Sequence, residues 1–229
     1  MKLNAATLRH LELALVLSVA FASSLFSSLA VWFGGSEVVG SLSSIRVWNS
    51  ILVEATALAV LCYVLLRQGR SLSDLWQAFR WRDLVIAIGL ALGGYVAYYV
   101  VYLLIYYATY LATGFRLVPN TNNVSVVTMG VVPSTVLLMA INPVFEELIV
   151  RAYTMSELLE MGYGPLIAVT FSVLFQTTYH LYYGSGIALA MGATFLIYAL
   201  YFAKTRRIMP VILAHMLFDF YALFSHAAR

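Results

Sequence analysis

Residues 84–112 read LVIAIGLALGGYVAYYVVYLLIYYATYLA, without one charged side chain. A helix needs about 20 apolar residues to cross a hydrocarbon core of about 30 Å, and this run exceeds that. Lipid offers no partner to an unpaired backbone N–H or C=O, so the run has to be helical; the period-two alternation of a barrel strand is missing. Its length allows a strong tilt, a break near Gly93-Gly94 or a second short segment.

Working outward, six further apolar segments fall at about 11–33, 49–66, 134–156, 165–182, 187–203 and 208–225. The fold expected is all-α: a polytopic transmembrane helix bundle of seven helices, or eight if the third run is divided. Composition agrees, with 62% hydrophobic and 10% charged residues, against about 25% charged in soluble domains. The first segment is long and lacks a small-residue cleavage site, so it reads as a span rather than a cleaved signal peptide. The chain 1–229 reads as a single integral membrane domain whose motif-bearing core is about 134–225. If the source is bacterial, its place is the plasma membrane.

The net charge of +3 does not point to nucleic acid, because the basic residues occupy short loops between apolar runs and are better used for orientation. Arg67, Arg70, Arg80 and Arg82 interleave with Trp76, Phe79 and Trp81, which predicts a short helix lying in the cytoplasmic interface. Lys204, Arg206 and Arg207 form a second basic loop. Four crossings separate the two loops, so both fall on one side; Lys2 and Arg9 put the N-terminus there too, and seven crossings put the C-terminus opposite. The loop 113–131 is polar, nearly uncharged and on the other face. The single cysteine, Cys62, lies in an apolar run and has no partner for a disulfide or a CxxC metal pair.

Ionisable groups inside apolar segments cost several kcal/mol, and they persist mainly when paired or functional. Here they are Glu54, Glu146, Glu147, Arg151, His180, His215 and Asp219. In NPVFEELIVR (142–151), Pro143 should kink the helix one turn before the acids. Glu147 and Arg151 are four apart and share a face, which suits an ion pair, whereas Glu146 points about 100° away. In FQTTYHLYYG (175–184), His180 follows Gln176 and Thr177 by one turn. In HMLFD (215–219), His215 and Asp219 share a face. If the three helices pack together, an acid, two imidazoles and a second acid converge at partial membrane depth, where a carboxylate can serve as a general base. Glu54 has no evident partner and faces a cavity or the bundle. Singly, each group has a structural reading: a clamp, a packing histidine, a local hydrogen bond. Jointly they favour a site.

These residues resemble the CPBP family, the CAAX-prenyl endopeptidase and bacteriocin-processing (Abi-type) intramembrane proteases. Its Glu-Glu-xxx-Arg motif is matched by Glu146, Glu147 and Arg151, and its His-xxx-Asn/Asp motif by His215 and Asp219. Its Phe-xxx-His motif is met only at His180, because Gln176 stands at the phenylalanine position and Phe175 is five residues before. The resemblance spans about 134–225. It implies an endopeptidase acting on a peptide or protein substrate, lipidated or membrane-embedded. Glu146 would activate water with help from His180. His215 would stabilise the oxyanion, held as a cation by Asp219, with Glu147 and Arg151 in support. Members are described both as metalloproteases and as metal-free glutamate-type enzymes. No cofactor is favoured here; zinc is the alternative, held by Glu146, His180 and His215. The competing readings are a proton-coupled transporter and a non-catalytic immunity or scaffold protein.

Overall fold

The computed structural model describes residues 4–34, 44–114 and 131–227. Among them the regular structure is entirely helical: α1 (Ala5–Trp32), α2 (Ser44–Arg67), α3 (Trp81–Thr113), α4 (Pro133–Glu146), α5 (Thr154–Glu160), α6 (Pro165–Tyr179), α7 (Ser185–Thr205) and α8 (Met209–Ala227). A π-helical turn, Glu147–Tyr153, joins α4 to α5, so these form one rod, and among the described residues the rods number seven. Five of the rods are long and apolar enough to cross a membrane: α1, α2, α3, α4 through α5, and α7. The chain is a multi-pass integral membrane protein.

Local chemistry sets the helix ends. Asn4 caps α1 by accepting from Thr7 N at 2.7 Å. Pro133 and Pro165 open α4 and α6, where a missing N–H costs nothing. Gly114, at φ 71°, closes α3. The break allowed near Gly93-Gly94 does not occur, and α3 runs unbroken over 33 residues. Gly94 serves close packing instead: Thr194 Oγ1 on α7 donates to its carbonyl at 2.9 Å.

Three expectations need correction or placing. The basic stretch 67–82 is not an interfacial helix. Gly69 turns the chain at φ 72°, a single 3-10 turn follows at Leu72–Asp74, and Ser71 N spends its hydrogen bond on Asp74 Oδ2 at 2.8 Å. Trp76 packs inward against the core, while Phe79 and Trp81 remain exposed. At Pro143 the feature that follows is the π-turn, and the proline itself lies within α4. Lys2 and most of the 113–131 loop lie outside the described residues.

The two basic loops do share one end of the bundle. Arg207 grips Asp83 with two nitrogens, the shortest contact 2.7 Å, and Ile208 N donates to Gln77 Oε1 at 3.0 Å. At the same end Arg9 and Arg70 both bind the buried Glu157, at 3.2 and 2.5 Å, and Arg67 pairs with Glu12. These contacts tie the ends of α1, α2, α3, α5 and α8 into one polar plate. A second anchor is aromatic: Phe21 of α1 stacks on Tyr179 at 4.7 Å and meets Phe145 and Phe175 at 5.1 and 5.4 Å.

Helix α6 has 15 residues, a rise of about 22 Å, less than the hydrocarbon core. Its length therefore falls short of a full crossing.

A Cβ on Gly94 would stand 2.7 Å from Thr194 Cγ2. Gly94→Ala should lower the detergent Tm by the equivalent of about 1–3 kcal/mol, despite alanine's better helix propensity. Thr194→Ser, which deletes that methyl and keeps the hydroxyl, should restore much of the loss; thermal unfolding of the two variants and their combination checks this.

Candidate functional site

The acids of the 142–151 stretch lie on either side of the junction between α4 and the π-turn. Such turns insert one extra residue per turn and are frequent at functional sites. Here Thr154 Oγ1 donates to Ile149 O, five residues back, at 2.7 Å, adding to the bond that the Thr154 backbone N–H makes to the same carbonyl. Glu147 and Arg151 form the ion pair that their spacing predicted, and both are wholly buried. The Arg151 guanidinium lies over the rings of Phe195 and Tyr198 on α7, at 5.8 and 5.6 Å from the centroids. Aromatic faces are a favourable setting for a desolvated cation.

Glu146, 7% exposed, faces α6. Its Oε2 accepts from Gln176 Nε2 at 2.9 Å and from Tyr179 OH at 2.8 Å. Gln176 in turn accepts from Arg151 Nη2 through Oε1 at 2.6 Å. The arginine that cannot reach Glu146 directly is thus linked to it through an amide. Neither Gln176 nor Tyr179 was among the candidate site residues. The available signal was an amide one turn before His180 in an otherwise apolar helix.

His180 caps α6 and is buried. Its Nδ1 faces the Gln176 carbonyl at 2.8 Å; a carbonyl only accepts, so Nδ1 carries the proton and Nε2 is left with the lone pair. His215 of α8 is also buried, with Nδ1 against Glu147 Oε1 at 2.8 Å. Asp219 Oδ1 stands 3.7 Å from Nε2 of the same ring, an ion-pair distance outside hydrogen-bonding range. The closer partner of His215 is therefore Glu147, because α4 packs directly on α8 and Glu147 follows its last residue. Asn142 of α4 faces Asp219.

Glu146, His180 and His215 come from three different helices and are close enough to interact electrostatically with one another. Glu54 of α2 reaches the same region. It is buried, within electrostatic range of Glu146 and Asp219, and its Oε2 has no hydrogen-bond partner among the described residues. Tyr182 and Tyr183, on a 3-10 turn after α6, stack near His180 with centroids at 6.2 Å. No group of three or more His, Cys, Asp or Glu side chains among the described residues is arranged to hold a metal ion.

Residues 128–221, less than half of the chain, match the family model described as type II CAAX prenyl endopeptidase, Rce1-like, and over that stretch the chain is similar to it. The matched stretch holds Glu146, Glu147, Arg151, Gln176, His180, His215 and Asp219, and excludes Glu54. Neither the curated proteins nor the solved structures provide a match.

Arg151→Ala would leave Glu147 buried without its counter-charge, a loss of about 3–5 kcal/mol for a broken buried pair. Its expected outcome is a reduced yield of monodisperse protein in detergent size-exclusion chromatography, beyond any loss of activity.

Proposed function

We propose that this chain is an intramembrane endopeptidase of the glutamate type, in which Glu146, His180, His215 and Asp219 carry the reaction and Glu147 and Arg151 support it. The reading takes residues 1–229 as one membrane unit with its motif-bearing core at about 134–225. Its substrate is a protein or peptide presented within or at the bilayer. The observation that carries it is the proximity of one carboxylate and two imidazoles from three separate helices.

The hydrogen bonds suggest each role. Both donors to Glu146 converge on Oε2, so Oε1 is the oxygen free to take a proton from water. His180, with Nδ1 committed to a carbonyl, directs Nε2 as an acceptor that helps orient that water. As the hydroxyl oxygen adds to the scissile carbonyl, negative charge grows on the carbonyl oxygen. His215, protonated and held through Nδ1 by Glu147, presents Nε2–H to that oxyanion, with Asp219 at ion-pair distance stabilising the cation. Collapse of the tetrahedral intermediate breaks the C–N bond, and Glu146 returns its proton to the leaving nitrogen. The arrangement of these side chains supports a metal-free route, and no step above needs an ion.

Purified protein should cleave members of a quenched peptide library in detergent or proteoliposomes. Glu146→Ala and His180→Ala should each abolish cleavage, on the order of 10²–10⁴-fold or more, while running as folded species. Two variants with wild-type turnover would end the assignment. A proton-coupled transporter would instead show uptake that Glu146→Gln removes, and a scaffold would keep its function in both alanine variants. Elemental analysis should find no stoichiometric zinc, and 1,10-phenanthroline should leave turnover unchanged; loss of activity that zinc restores would refute the metal-free route.

A further inference from the structure

We infer that Gln176 is a positioning residue that joins the Glu147–Arg151 pair to Glu146 and aligns His180 at the same time. The inference rests on the reading of Glu146 as the base.

Gln176 is wholly buried and lies between a guanidinium, which only donates, and a carboxylate, which only accepts. A primary amide carries both functions, and its orientation here follows from its neighbours. Oε1 receives Arg151 Nη2 at 2.6 Å, and Nε2 donates to Glu146 Oε2 at 2.9 Å. The flipped amide would set donor against donor and acceptor against acceptor. Phenylalanine, the residue at this position in the motif the chain resembles, could do neither. A glutamate could accept from Arg151 but, when ionised, could not donate to Glu146.

The main chain of the same residue acts on the second group. The Gln176 carbonyl accepts from His180 Nδ1 at 2.8 Å, which fixes the tautomer and leaves Nε2 for the water. The side chain thus orients the acid while the backbone orients the imidazole. With Tyr179 OH also on Oε2 at 2.8 Å, that oxygen is saturated and proton uptake is confined to Oε1. The site needs this second donor because Arg151, committed to Glu147, does not reach Glu146.

The test uses the full chain in detergent and three forms: wild type, Gln176→Glu and the exchange Glu146→Gln with Gln176→Glu. Gln176→Glu keeps an acceptor for Arg151 but faces one carboxylate with another. Its Tm should fall, and kcat should drop about 10–100-fold with KM within about twofold. The exchange restores donor opposite acceptor, so its Tm should recover toward wild type, while cleavage stays absent because position 146 no longer holds a carboxylate. A Gln176→Glu form with wild-type Tm and kcat overturns the inference, as does an exchange no more stable than the single variant. The Tm comparison needs no turnover. A chain that follows the Tm pattern but cleaves nothing in any form keeps the hydrogen-bonded bridge and overturns Glu146 as base.

Discussion

Arg151 is a permanent cation with no contact with solvent, in a bundle built to sit in lipid. Such a charge is tolerated only where its surroundings compensate it, and here all but Nε of the guanidinium is served by a partner among the described residues. Glu147 neutralises it, Gln176 accepts from it, the Phe195 carbonyl lies 3.4 Å away and two aromatic faces flank it. Those neighbours come from the π-turn, α6 and α7, so matching one charge sets the relation of three elements. Both remaining site groups depend on that setting: Glu147 spends its other oxygen on His215, and Gln176 spends its amide nitrogen on Glu146.

The π-turn and the short α6 solve one geometric problem. Adjacent acids on a helix diverge by about 100°, and the junction lets Glu147 turn to α8 while Glu146 meets α6. A 15-residue α6 is shorter than a full crossing, and its C-cap presents His180. Packing around this junction is correspondingly tight, with Phe21, Phe145, Phe175 and Tyr179 interlocked on one side and the Thr194–Gly94 contact farther along the bundle. The polar plate ties the helix termini at one end of the bundle.

Much of the architecture was legible in the residues. Spans follow from apolar run length, which depends only on local composition. The Glu147–Arg151 pair follows from helical spacing, and the common side of the two basic loops follows from counting crossings. The stretch 67–82 was misread because interleaved arginines and tryptophans mimic an amphipathic helix, while Gly69 and the Ser71–Asp74 bond favour a turn. The ion pair of His215 with Asp219 follows from spacing, whereas its closer contact with Glu147 could not be read, because spacing along one helix says nothing of a carboxylate on another.

The sequence by itself determined that the chain is a helical membrane protein and which few polar groups its apolar segments must accommodate, because hydropathy and helical period are properties of contiguous residues. Tertiary structure alone decided how those groups are shared. Whether an amide on α6 meets a guanidinium from the π-turn depends on helix rotation, depth and one inserted residue, and those are set by packing among segments distant in the chain.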